Sequence, residues 1–97
     1  MSDFPRISIV VPVYGAEGNI HELSVRINQI MIEIKENYEL IYIEDQSPDN
    51  SWNEILEVST SNKSIKAIKL SRNFGQHNAI SAGMEIAKGD YVILMDC

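Results

Sequence analysis

Tyr38-Glu39-Leu40-Ile41-Tyr42-Ile43-Glu44-Asp45-Gln46-Ser47-Pro48-Asp49-Asn50-Ser51 is an apolar run that stops abruptly on a carboxylate pair and passes at once into a turn and a helix start. Tyr38 to Ile43 is short, rich in aromatic and β-branched residues and bounded by turn formers, so it reads as a buried strand. Glu44-Asp45 then falls where that strand ends. In open α/β sheets, ligands bind in the crevice outside the carboxyl ends of the strands. Two acids at that edge suit a site that chelates a cation or accepts hydrogen bonds from a ligand. The plainer alternative is that Asp45 caps the following turn, a common place for Asp, with Glu44 solvated.

The flanking sequence repeats the same alternation. Upstream, Ile7-Ser8-Ile9-Val10-Val11 is a β-branched run typical of a strand covered on both faces. Pro12 lacks an N–H and is expected to end the usable ladder, with Val13-Tyr14-Gly15 leading into a loop. Asn19 suits an N-cap. Behind it Ile20, Leu23, Ile27, Ile30 and Ile34 recur at spacings of three and four, one stripe of an amphipathic helix that Lys35-Glu36-Asn37 closes.

Downstream, a helix is predicted from Asp49 to Thr60 with Trp52, Ile55 and Leu56 inward, and a polar loop over Ser59 to Ser64. Ile65 to Leu70 alternates, as an edge strand does. A polar loop from Ser71 to Asn78 carries a cation. A helix of small residues overlaps its end, from Gln76 to Lys88, with Ala79, Ile80, Gly83, Ile86 and Ala87 on one side. Glycine inside a helix costs about 1 kcal/mol relative to alanine, so Gly83 is expected to mark close approach of helix to sheet. Gly89-Asp90 turns the chain into a last strand, Tyr91 to Met95. The order is βαβαβαβ: an α/β, Rossmann-like three-layer sandwich with right-handed crossovers. Its parallel sheet is expected in the order 3-2-1-4, with the switch point between the first and fourth strands.

Composition narrows the function. Ninety-seven residues, 44% of them hydrophobic, make one globular domain. A net charge of −6 disfavours nonspecific binding to nucleic acid and supplies no general basic patch for anionic lipid. The single cysteine, Cys97, excludes an intrachain disulfide. The first residues lack a signal-peptide pattern, and no apolar stretch approaches the roughly 20 residues of a membrane span, so a cytoplasmic location is the expectation. The sequence stops two residues past its last strand run, and it is expected to be the N-terminal part of a longer protein.

Four strand ends carry polar or unusual residues: Pro12-Val13-Tyr14 with Glu17, Glu44-Asp45, Ser71-Arg72-Asn73, and Asp96. In a parallel sheet all four share one edge. A cleft so lined suits a nucleoside diphosphate: carboxylates accept from base or ribose, Arg72 faces phosphate, and Asp96 helps hold a divalent metal. Mg²⁺ and Mn²⁺ are typically held by one or two carboxylates plus substrate phosphates. Neither a G-x-G-x-x-G fingerprint nor a P-loop is present, so metal and side chains would have to hold the phosphates. His77 is either a base or phosphate donor or an ordinary surface histidine. Tyr14 either stacks on a base or covers the end of the sheet. Trp52 and the methionines read as core, and His21 as solvated.

These positions together resemble glycosyltransferase family 2, enzymes of the glycosyltransferase A fold, in the branch of dolichol-phosphate mannosyltransferase and bacterial polyprenyl-phosphate glycosyltransferases. Ile9-Val10-Val11-Pro12-Val13-Tyr14 with Asn19-Ile20 is similar to that family's opening strand and loop. Glu44-Asp45-Gln46-Ser47-Pro48-Asp49-Asn50-Ser51 resembles its Asp-Asp-x-Ser-x-Asp segment, with Glu44 in place of the commoner first aspartate. Leu70 to His77, continuing through Ala82-Gly83 to Gly89-Asp90, resembles the polyprenyl-phosphate branch in particular. Met95-Asp96-Cys97 resembles the start of an Asp-x-Asp metal motif whose second acid would follow Cys97.

The resemblance implies that Pro12, Tyr14, Glu17, Glu44, Asp45, Arg72, Asn73 and His77 line the nucleotide pocket and that Asp96 binds Mg²⁺ or Mn²⁺. It implies the nucleotide-binding half of an inverting transferase taking a UDP- or GDP-sugar to a polyprenyl phosphate or saccharide acceptor. The acceptor site, and any attachment to the cytoplasmic face of a membrane, would lie outside these 97 residues. Two rival readings are a receiver-like or other flavodoxin-like binding module, and a noncatalytic fragment that self-associates through an exposed sheet edge. The first needs a lysine at a later strand end, which Ser71-Arg72 does not supply.

Overall fold

In the computed structural model, residues 4–70 and 76–97 are described, the side chains of 76–78 excepted. The elements are β1 (Ile7–Val13), α1 (Ile20–Ile34), β2 (Tyr38–Glu44), α2 (Ser51–Ser61), β3 (Ile65–Lys69), α3 (Gln76–Ile86) and β4 (Tyr91–Leu94). They form a four-stranded sheet in the order β3-β2-β1-β4, every pairing parallel, as expected from the alternation of strand and helix. Ile7 pairs with both Tyr38 and Tyr91, so β1 is central and fixes the register of its two neighbours.

Strand alternation sends side chains to two separate cores. Ile9, Val11 and Val13 with Leu40 and Tyr42 face α1 and α2, packing on Ile20, Ile27, Met31, Ile55 and Val58. Val10, Ile41 and Ile43 face α3 and pack on Ala79. The chain crosses one face twice, through α1 and α2, then returns across the other through α3. That reversal, with right-handed crossovers, puts the switch point between β1 and β4.

Several local expectations are corrected. The ladder does not end at Pro12, which pairs with Ile43 while Val13 pairs with Glu44. Met95 N donates to Val10 O, so even-numbered β1 residues point their backbone groups at β4. Pro12 lies past the β4 ladder, which closes at Val10 and Leu94, so no partner there needs its missing N–H. On α1 the buried stripe is Ile20, Ser24, Ile27 and Met31, whereas Ile30 and Ile34 are exposed. Ser24 can face the sheet because its hydroxyl meets the Tyr42 hydroxyl at 2.7 Å and donates to Ile20 O at 2.8 Å.

Asn19 occupies the N-cap position of α1 without a side-chain capping bond. Helix α2 starts at Ser51 and buries Ser51, Ile55 and Val58, leaving Leu56 exposed. Helix α3 stops at Ile86, which is exposed. Trp52 is only partly buried against the core, and Met84 is exposed. On β4, Tyr91, Val92, Ile93 and Leu94 are all exposed, so this edge of the sheet is uncovered among the described residues. No described helix is long and apolar enough to cross a membrane.

Candidate functional site

The carboxyl ends of the strands form one rim, and backbone hydrogen bonds extend the ladder into it. Asp45 N donates to Val13 O at 3.0 Å, Leu70 N to Glu44 O at 2.9 Å, and Met95 N to Val10 O at 3.0 Å. Asp45 and Asp96 therefore lie past the same ends of β2 and β4, with β1 between them. Strands two apart in a sheet are separated by about 10 Å. Carried past the strand ends, the alternation puts Pro12, Asp45 and Asp96 on the α3 side of the sheet and Glu44 on the opposite side.

The two acids of the pair do different work. Glu44 is buried, not solvated, and its carboxylate accepts from Gln46 N at 2.9 Å and from Ser47 N. It is spent on its own turn, in which Gln46 takes a left-handed φ of 57°. Asp45 is 4% exposed, and its Oδ1 has no hydrogen-bond partner among the described residues. A buried acceptor left unpaired costs roughly 1–3 kcal/mol, more when charged. Such a group just past the carboxyl end of a parallel strand fits a ligand that supplies the missing donor.

Around this pair, the β1–α1 loop carries two more of the expected residues. Tyr14, the residue just past β1, is 62% exposed. Glu17 is exposed, and its Oε1 accepts from Asn50 N at 3.2 Å. Pro12 is half-buried. Glycines at 15 and 18 take φ of +68° and +92°, which the loop requires at both turns.

On the other side of β2 a cleft of about 610 Å³ is lined by Glu44, Ser47, Asp49, Trp52 and Lys69, among others. Lys69 Nζ stands 5.4 Å from the centre of the Trp52 ring. Lys69, the last residue of β3, is a cation of the rim that the sequence reading passed over. The strand after β2 therefore does end on a lysine, and the lack of one does not count against a receiver-like module. Arg72 and Asn73 lie outside the described residues, as does the side chain of His77, whose backbone belongs to the first turn of α3.

Asp96 is exposed, and no group of three or more His, Cys, Asp or Glu able to hold a metal occurs among the described residues. A lone rim carboxylate fits a cation whose other ligands are phosphate oxygens and water. It does not fit a cation held by protein alone. The N-terminus of α1 is likewise closed to phosphate, because Glu54 already accepts from Gly18 N at 2.7 Å and His21 N at 2.8 Å.

Comparison with known proteins agrees with this architecture. The family model for glycosyl transferase family 2 matches residues 8–97. The uncharacterized glycosyltransferase YkcC of Bacillus subtilis (strain 168) is 44% identical over 96 residues, covering 99% of this chain and 30% of the relative. An undecaprenyl-phosphate 4-deoxy-4-formamido-L-arabinose transferase of Aeromonas hydrophila is 40% identical over 96 residues, covering 98% of this chain and 29% of the relative.

Among solved structures, the mannosyltransferase PcManGT from Pyrobaculum calidifontis, in complex with GDP-Man and Mn²⁺, matches with a TM-score of 0.76 at 17% identity. That match covers 96% of this chain and 27% of the other. S. aureus TarS 1–349 in complex with UDP matches with a TM-score of 0.71 at 24% identity, covering 94% of this chain and 27% of the other. The layers and strand order are those of the N-terminal half of a glycosyltransferase A fold. The chain spans less than a third of the length of these relatives.

Proposed function

This chain belongs to glycosyltransferase family 2, and on that premise we propose that it is the nucleotide-binding part of an inverting glycosyltransferase using a UDP- or GDP-sugar. The observation that carries the reading is the buried Asp45 carboxylate at the rim, whose Oδ1 meets no hydrogen-bond partner among the described residues. An ionised carboxylate only accepts hydrogen bonds, so it favours a base edge bearing a ring N–H, as uracil and guanine do. Tyr14 supplies an exposed ring beside it for stacking. Glu17 and Pro12 are assigned to the nucleoside wall, and Arg72, Asn73 and His77, which lie outside the described residues or side chains, to the nucleotide as donors.

Glu44 acts by shaping the Asp45 turn, not by touching the nucleotide. Asp96 would be a protein ligand for Mg²⁺ or Mn²⁺ bound together with the diphosphate. When bound, such an ion offsets the charge that develops on the leaving diphosphate. The acceptor is assigned as a polyprenyl phosphate, in keeping with the undecaprenyl-phosphate transferase of Aeromonas hydrophila that the chain resembles. A phosphate acceptor is already anionic at its attacking oxygen and requires little general-base help. The acceptor site belongs to further polypeptide, and the reaction is placed at the cytoplasmic face of a membrane, where soluble donor meets lipid acceptor.

Titration of the chain with UDP, GDP, ADP and CDP in Mg²⁺, followed by backbone amide shifts, tests the pocket. UDP or GDP is expected to saturate and to move Val13, Tyr14 and Asp45, with ADP and CDP far weaker. Asp45→Ala should lower the affinity at least about tenfold, the worth of a hydrogen bond to a charged group. If neither UDP nor GDP binds, or a folded Asp45→Ala chain binds as well as the unsubstituted one, the assignment is wrong.

A further inference from the structure

The β1–α1 loop and the β2–α2 segment share no strand ladder, yet backbone amides of the first are repeatedly captured by side chains of the second. Gly15 N donates to Ser47 Oγ at 2.9 Å and Ala16 N to Ser51 Oγ at 2.9 Å. Glu17 N donates to Asp49 Oδ2 at 3.3 Å, while Gly18 N and His21 N donate to the two oxygens of Glu54 at 2.7 and 2.8 Å. One bond runs the other way, from Asn50 N to Glu17 Oε1 at 3.2 Å.

The acceptors are themselves fixed. Ser51 is fully buried, and both its N–H and its hydroxyl donate to Asp49 Oδ1. That bonding holds the Asp49 carboxyl below the usual carboxylate range, the Ser51 hydroxyl contributing most. Ser47 is anchored through its N–H on Glu44. Four consecutive amides, 15 to 18, are thus tied to a segment more than thirty residues away.

We propose that Ser47, Asp49, Ser51 and Glu54 are positioning residues that hold the Tyr14–Glu17 loop in its ligand-ready place beside Asp45. The role rests on the nucleotide reading above. It gives the Ser-x-Asp portion of the motif a task apart from ligand contact: joining the loop that carries Tyr14 to the strand end that carries Asp45. A loop with two left-handed glycines would otherwise have to be ordered when the ligand binds, at a cost in affinity.

Two measurements on Glu54→Ala test this. In the ligand-free chain, amide hydrogen exchange should rise at Gly18 and His21 and stay unchanged in β2. Affinity for UDP or GDP, whichever binds, should fall about tenfold. A loss of that kind from global instability would persist in any background. Here the loss should shrink below about threefold in Tyr14→Ala, through which the loop acts, and remain whole in Asp45→Ala, which lies outside the loop. Unchanged exchange at Gly18 and His21 overturns the tie, as does raised exchange with unchanged affinity or a loss that ignores Tyr14. An unsubstituted chain that binds neither nucleotide overturns the pocket itself, and this role with it.

Discussion

Gly83 of α3 lies so close to Val10 of β1 that a Cβ on it would stand 2.3 Å from Val10 Cγ1 and 3.3 Å from Ile43 Cγ1. Val10 is fully buried, so its side chain cannot swing away without disturbing the core on that face. Gly83→Ala should gain about 1 kcal/mol of helix propensity and lose about 1–3 kcal/mol to overpacking, for a net loss of stability. Urea denaturation should show the midpoint falling with an unchanged slope. Val10→Ala added to Gly83→Ala should recover part of the loss, although Val10→Ala alone is destabilising. Simple additivity of the two would mean that the helix does not rest on Val10.

At the opposite end of the sheet from the rim, a buried carboxylate fastens the entry into β4. Glu39 is 2% exposed; its Oε2 accepts from Ser8 Oγ at 2.6 Å and from Lys88 N at 2.7 Å, and Ser8 Oγ in turn accepts from Gly89 N at 2.8 Å. A Cβ on Gly89 would fall 2.7 Å from Ser8 N, so the turn can approach only as glycine. Glu39→Ala strips the partner from a buried hydroxyl and a backbone N–H and should cost about 3 kcal/mol. Glu39→Gln keeps an accepting oxygen and should cost much less. Lys66→Ala should cost less than Glu39→Ala. The Lys66 side chain, its ammonium 3.6 Å from Glu39 Oε1, is about half exposed, and the Ser8 and Lys88 hydrogen bonds to Glu39 stay in place. Denaturant titration of the three variants checks the ranking, and equal losses from Ala and Gln would remove the hydrogen-bond explanation.

The strand order was legible because Ile7 to Val11 and Tyr38 to Ile43 are β-branched or aromatic nearly throughout, which only a strand covered on both faces requires. The switch point followed from the handedness of crossovers. The faces of α1 were not legible: two apolar stripes share Ile20 and Ile27, and a hydroxyl on another element, that of Tyr42, decides for Ser24 over Ile30 and Ile34. The carboxylate pair was visible as chemistry, but not which acid turns back on its own loop. That is settled by the parity of β2, which sends Glu44 and Asp45 to opposite faces. The tie from Ser47, Asp49, Ser51 and Glu54 had no local signal, because each acceptor and its amide donor are thirty-two to thirty-six residues apart.

Tyr42 gives the contact between α1 and β2 a pH signature. Its ring is fully buried, and its hydroxyl meets Ser24 Oγ at 2.7 Å, with Ile20 O 3.2 Å away. Burial pushes the phenol up from 10.0 to about 12. The unfolded chain releases this proton near its ordinary value while the native chain keeps it, so between pH 10 and 12 the unfolded state binds fewer protons and stability falls as pH rises. Below that window the contribution is complete; across it about 2–3 kcal/mol should disappear, at 1.36 kcal/mol per unit. Tyr42→Phe keeps the ring and removes the proton. It should cost about 1 kcal/mol at neutral pH and flatten the alkaline decline. Denaturation midpoints of both chains from pH 8 to 12 read the difference directly, and parallel declines would place the sensitive group somewhere other than the buried phenol.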